Sequence, residues 1–122
     1  MPRIFIVSTD NADLSATLGV LADAGYSATG ATTFEEAQRR VVSESPDLVI
    51  ADERLGAFNG LHVLLTARAE RPSTWTIVTT PVENRGLEAD ARSLNVQCMV
   101  KPRTASDWLG PISRILPAAC VA

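Results

Sequence analysis

The sequence is short of several residue types, and each shortage closes a class of function. Aromatic residues make up 5% of its 122 residues, and His62 is the only histidine. A zinc site built from several histidine and cysteine ligands is therefore not expected. Cys98 and Cys120 lie far apart and match no metal-ligand spacing. They read as a reduced pair in a cytoplasmic protein, with nothing in the sequence to support a disulfide. No apolar stretch approaches the ~18 residues needed to cross a bilayer. Met1-Pro2-Arg3-Ile4 runs straight into strand-like sequence, so no signal peptide is expected. Net charge is −3 and neither sign gathers into a run, which leaves no basic footprint for nucleic acid. The first strand is followed by Ser8-Thr9-Asp10-Asn11-Ala12-Asp13 and not by a glycine-rich phosphate loop. A nucleotide or flavin binder is disfavoured on that ground.

What is present is an ordinary globular composition, 46% apolar and 20% charged, with a core to be made of Val, Ile, Leu and Ala. The length suits one domain, taken as residues 1–117, with 118–122 as a tail or the start of a linker. Strand-like and helix-like segments alternate throughout. Arg3 to Val7 reads as a strand, and Leu14, Leu18 and Leu21 then mark one face of a helix ending near Gly25. Tyr26 to Ala31 is a weak second strand. Thr33 with Glu36 forms a capping-box signature ahead of Phe34, Ala37 and Val41. Leu48 to Ala51, ending at Asp52, is a continuous apolar run of the kind a central parallel strand carries. Arg54 to Asn59 reads as a loop, and Gly60 opens a helix carrying Leu61, Leu64 and Leu65. Trp75 to Thr80 is a fourth strand, Leu87, Ala91 and Leu94 mark the next helix, Gln97 to Val100 is a fifth strand, and Trp108, Ile112 and Ile115 mark a last helix.

Five such units with short connections imply an α/β fold with a doubly wound, five-stranded parallel sheet. In open parallel sheets, chemistry collects at the carboxyl ends of the strands. Those ends carry Ser8, Thr9 and Asp10, then Asp52, Thr80 and Lys101. An acid, a hydroxyl and a lysine at three neighbouring strand ends exceed what a plain core needs.

The segment Pro46-Asp47-Leu48-Val49-Ile50-Ala51-Asp52, followed by Leu55 and Asn59-Gly60, resembles the surroundings of the phosphorylated aspartate in receiver domains of the response-regulator family. Lys101-Pro102 is similar to the family's Lys-Pro after the fifth strand, and Ala24-Gly25-Tyr26 closes the first helix at the family's usual distance. The resemblance spans about residues 3 to 116 and implies a flavodoxin-like sheet of order 2-1-3-4-5. It implies Asp52 as phosphoacceptor, Thr80 as the hydroxyl that senses the phosphoryl group, and Lys101 as its cationic partner. An aspartate can hold phosphate as an acyl phosphate. A lysine about 4 Å away would contribute about 4 kcal/mol at an effective dielectric near 20. The partners implied are a histidine kinase or phosphotransfer protein upstream. Downstream would be an output domain or a second copy, met through the fourth helix, fifth strand and fifth helix. Membranes and nucleic acid are not expected partners, and the module is not expected to be an enzyme.

The sequence also departs from that family. Receivers carry two adjacent acids after the first strand to hold Mg²⁺ with the phosphoacceptor, and this chain has Ser8 and Thr9 there. The remaining candidate metal ligands are Asp52, Asp10 and the backbone carbonyl of Arg54, whose guanidinium could oppose or replace the ion's charge. Impaired or Mg²⁺-independent activation is the expectation. Cys98 stands where some members carry a switching aromatic, so no aromatic switch is expected. Thr80 and Lys101 are 21 residues apart, which suggests a residue missing near Asn95, whose type tolerates the left-handed conformation. Ser8 and Thr9 are taken as helix caps, Asp10 as either a cap or a residual ligand, His62 as solvated, and Trp108 as core or partner surface. The competing reading is a degenerate receiver that acts as a phosphorylation-independent interaction or dimerisation module.

Overall fold

In the computed structural model, which describes residues 1–117, five strands form one parallel sheet. They are β1 (Arg3–Val7), β2 (Ser27–Ala31), β3 (Leu48–Asp52), β4 (Trp75–Thr80) and β5 (Gln97–Val100). Their order across the sheet is β2-β1-β3-β4-β5, as the sequence predicts. Five α-helices connect and close it: α1 (Asn11–Asp23), α2 (Phe34–Glu44), α3 (Gly60–Glu70), α4 (Arg85–Ser93) and α5 (Leu109–Ile115), the last entered through a 3₁₀ turn at Ala105–Trp108.

The central strands are buried on both faces, and residue parity divides the core in two. Ile4, Ile6, Leu48, Ile50 and Ile77 pack with Leu14 and Leu21 of α1 and with Trp108 and Ile112. Phe5, Val7, Val49, Ala51 and Val78 pack with residues of α2, α3 and α4. Trp108 is thus core. Trp75 opens β4 and is 54% exposed.

Local chemistry sets the element ends. Thr33 caps α2 by accepting from the Glu36 amide, as its capping-box pattern predicts. Asn95 takes a left-handed φ of 59° between α4 and β5, the conformation its amide side chain tolerates. One expectation is corrected: Arg54 to Asn59 is no plain loop. Arg54–Leu55 and Phe58–Asn59 pair as a short antiparallel ladder turning at Gly56, whose φ of 64° suits glycine. The proposed tail, residues 118–122, with Cys120 in it, lies outside the described residues. Among the described residues no helix is long and apolar enough to cross a membrane.

Candidate functional site

The carboxyl ends of β1, β3, β4 and β5 meet at one rim, and parity decides which side chains converge there. Positions 4, 6 and 8, 48, 50 and 52, 77 and 79, and 99 and 101 share the α1/α5 face of the sheet. Ser8, Asp52, Thr79 and Lys101 are therefore neighbours. The Lys101 ammonium lies 3.1 and 3.2 Å from the two Asp52 oxygens and 3.2 Å from Ser8 Oγ. It lies 2.7 Å from Asp13 Oδ2, a carboxylate in the first turn of α1. Thr79 Oγ1 donates to Asp52 Oδ1 at 2.7 Å. Half-burial alone would push the Lys101 pKa down, but the hydrogen bond to Asp13 and the charge of Asp52 outweigh it and hold the ammonium above its ordinary value. Beside this group opens a cleft of about 420 Å³, lined by Thr9, Asp52 to Arg54, Thr79 to Val82, Asn84 and Lys101.

The β3–α3 connection holds the acid in place. The Glu53 amide donates to the Thr79 carbonyl and the Gly60 amide donates to the Glu53 carbonyl, at 2.8 and 2.7 Å. Asn59 caps α3 by accepting from the Leu61 amide. A Cβ on Gly60 would lie 1.9 Å from the Asp52 carbonyl oxygen, so the chain can turn here only through glycine.

Asp52 and Lys101 are brought together as the sequence predicts; other expectations fall differently. Thr80 is one residue past the position that reaches Asp52. It sits on the opposite face of the sheet, and its hydroxyl donates to the Val82 carbonyl at 2.9 Å. Asp52 pairs in register with Thr79, and Thr79 is the hydroxyl that the acid meets. Ser8 does not cap α1: it is buried and accepts from Lys101 and from the Asp10 amide. Asp10 is the cap, accepting from the Asp13 amide at 3.0 Å. Arg54 extends from the exposed side of the ladder. Two site residues escaped the sequence reading, Thr79 and Asp13. The spacing from Thr79 to Lys101 and the alternation of Ile77 with Thr79 were the signals for the first. A carboxylate one helical turn after a strand end was the only signal for the second.

Comparison with known proteins agrees with this fold. No family model matches the chain. Over 101 residues it is 32% identical to the alginate biosynthesis transcriptional regulatory protein AlgB of Pseudomonas aeruginosa, a match covering 82% of this chain and 22% of that protein. The chain thus spans about a fifth of that relative's length. The solved CheY-like response regulator receiver domain protein of Methanospirillum hungatei superposes with a TM-score of 0.86 at 26% identity, covering 95% of this chain and 94% of that one. The chain is a receiver domain of the response-regulator family. The fold alone extends further. The chemotaxis response regulator CheY4 of Vibrio cholerae gives a TM-score of 0.84 at 19% identity, over 95% of this chain and 99% of that one.

Receivers as a class hold Mg²⁺ in an acidic pocket, and the side chains of this receiver do not fit that ion. The positions after β1 are the neutral Ser8 and Thr9. The Asp10 carboxylate is taken up by the α1 cap and the Asp13 carboxylate by Lys101. On the other face of the sheet, burial first and then the charges of Glu88 and Glu53 push the Cys98 thiol pKa up. Among the described residues no three His, Cys, Asp or Glu side chains are grouped to hold a metal. Mg²⁺ takes octahedral oxygen ligation with one or two carboxylates. Here the Asp13 and Asp52 carboxylates already face an ammonium.

Proposed function

We propose that this receiver is a signal-transduction module of a two-component phosphorelay, working in the cytoplasm and taking a phosphoryl group on Asp52 without a divalent ion. The donor is a phosphohistidine of a kinase or phosphotransfer protein. An Asp52 oxygen forms the new bond to phosphorus as the donor's P–N bond breaks. The imidazole leaves with the electron pair and takes a proton from solvent. Oδ2 is the less engaged oxygen, with the 3.2 Å contact to Lys101, whereas Oδ1 also accepts from Thr79. The single observation that carries the reading is the Asp52 carboxylate bonded to both Lys101 and Thr79 at the mouth of the cleft. Both donors are poised for the anionic product: an ammonium and a hydroxyl next to a phosphoryl group strengthen their bonds as charge concentrates there. Movement of Thr79 towards the phosphoryl oxygens would then pull on the Thr80–Val82 segment, whose hydroxyl-to-carbonyl bond shapes the loop before α4. That loop and the α4–β5–α5 face would carry the signal to an output domain or a second copy.

The test is to treat the protein with a small acyl-phosphate donor in the presence of a chelator and weigh it intact. A gain of one phosphoryl mass that is absent in Asp52→Asn is expected; no gain in the wild type refutes the reading. The second reading is a degenerate receiver that binds its partner regardless of phosphorylation. The neutral Ser8 and Thr9 favour it, and it requires partner binding to be indifferent to Asp52→Asn.

A further inference from the structure

Lys101 is the only lysine in the chain, whose other basic residues are all arginines. An arginine presents a rigid planar fork, whereas an ammonium is a compact point charge with three donors. At this rim the compact ion is surrounded by four oxygens from three separate elements: Asp13 Oδ2, both oxygens of Asp52, and Ser8 Oγ. Three N–H bonds among four oxygens leave none to spare, and the shortest contact, 2.7 Å, is to Asp13 and not to Asp52. Asp13 is itself held by the backbone, its amide bonded to Asp10 Oδ1 and its carbonyl accepting from Thr17 Oγ1. Its carboxylate is thus presented from a fixed helix start.

We infer that the Lys101 ammonium is the resident cation of this site, seated between the Asp13 and Asp52 carboxylates, and that Asp13 is the positioning residue that keeps it there. The inference deepens the reading of this rim as the receiver's reaction site, but it concerns cation occupancy and does not depend on phosphoryl transfer. A divalent ion would have to bind the same two carboxylates, and to do so it must expel an ammonium that is half-buried and fully bonded. Removing the ammonium leaves two facing carboxylates and a hydroxyl, a set of hard oxygens that suits Mg²⁺ or Mn²⁺. The acid missing from the end of β1 has in effect been replaced one helical turn later, and the charge it faces is the chain's own.

The experiment uses the full chain labelled with ¹⁵N-lysine, in which one side-chain ammonium signal can arise, together with Mn²⁺ as a paramagnetic probe of the backbone amides of Asp13 and Asp52. In the wild type Mn²⁺ at millimolar concentration is expected to leave those amides sharp. In Lys101→Met it should broaden them, with affinity at least about tenfold higher than the wild type's. The double variant Lys101→Met/Asp13→Asn should lose that gain. In Asp13→Asn alone the Lys101 ammonium signal should broaden through solvent exchange, and Asp13→Glu should restore it. Asn keeps the size of the side chain and every backbone bond of the α1 start, so a purely structural role would leave that signal unchanged. Site-specific broadening by Mn²⁺ in the wild type overturns the inference even if no variant folds. An unchanged ammonium signal in Asp13→Asn, or no gain in Lys101→Met, overturns it as well. Phosphorylation of Asp52 is read separately by mass, so the phosphorelay reading can fail while this one stands.

Discussion

Thr79 and Thr80 are adjacent and chemically identical, yet the sheet gives them opposite surroundings. Thr79 shares the α1/α5 face with Asp52 and donates to its carboxylate, while Thr80 points to the other face and bonds the Val82 carbonyl. Replacing each with the isosteric valine separates the two roles. Thr79→Val removes a hydrogen bond to a charged group in a buried position and should cost about 1–3 kcal/mol in urea unfolding. Thr80→Val removes a neutral bond and should cost about 1 kcal/mol. On phosphoryl uptake the order should be sharper: a marked loss in Thr79→Val and near wild-type uptake in Thr80→Val, followed by intact mass over time. The reverse order would show that the rearranged site engages Thr80. The pair also marks the limit of reading this site from sequence. Asp52 and Lys101 could be placed because each follows an unambiguous strand and adjoins a distinctive neighbour, Asn59-Gly60 downstream or Pro102. Two threonines in succession offer no such landmark. Only the alternation Ile77, Thr79 against Val78, Thr80 separates them, and a shift of one residue exchanges the faces. Asp13 was hidden for another reason. A carboxylate in the first turn of a helix has a sufficient explanation in the helix dipole, and its contact with Lys101, 88 positions away in the chain, is purely tertiary.

The elements themselves were largely legible because their signals are local. Parity in the strands, the Thr33 cap and the left-handed turn at Asn95 involve residues a few positions apart. The Arg54–Asn59 ladder was not legible, since two-residue pairing around Gly56 lacks the alternating run that announces a strand. At the opposite end of the sheet from the site, Asp47 joins three elements. Its carboxylate accepts from the Arg3 amide at 2.8 Å and pairs with Arg71 at 2.9 Å, while its own amide donates to the Arg3 carbonyl and its carbonyl accepts from the Trp75 amide. Burial would raise the Asp47 carboxyl pKa, but the Arg3 amide and the Arg71 guanidinium together hold it below its ordinary value of 3.8. A depressed folded-state value means that the ionised carboxylate stabilises the native chain above 3.8, and that this contribution is lost as pH falls through the folded value. Asp47→Asn should therefore lower the urea midpoint near neutrality, and the difference from wild type should narrow by about pH 3. A gap of constant size across that range would mean that the loss comes from the strand-end hydrogen bonds and not from the charge. Arg71 is partly exposed, so high salt should shrink the neutral-pH gap as well.

On the scale of the whole molecule, the proposed reaction rim and the proposed signalling face meet along β5. Lys101 leaves the strand directly into the site, its amide bonded to the Thr80 carbonyl. The preceding Val100 is 46% exposed, and Val82, just after β4, is 69% exposed. β5 is also the last strand of the sheet, with one backbone edge outside the ladder. Such an edge beside exposed valines suits a two-fold interface, because the same patch can serve both copies. A specific dimer needs about 800 Å² from each partner, more than two valines provide, so the proposed interface would draw on α4 and α5 as well. If a phosphoryl group on Asp52 draws Thr79 and Lys101 towards itself, the carboxyl ends of β4 and β5 shift together, and with them the segment carrying Val82 and Val100. Beryllofluoride, which mimics that group, should then raise the sedimentation coefficient of the wild type towards that of a dimer. Asp52→Asn should remain at its starting value because the mimic has no carboxylate to complete it. Val100→Asp should still bind the mimic but stay monomeric, since dimerisation would bury a charge opposite its own copy. Dimerisation of Asp52→Asn equal to the wild type's, with or without beryllofluoride, would instead favour the degenerate module, with the face active and the rim vestigial.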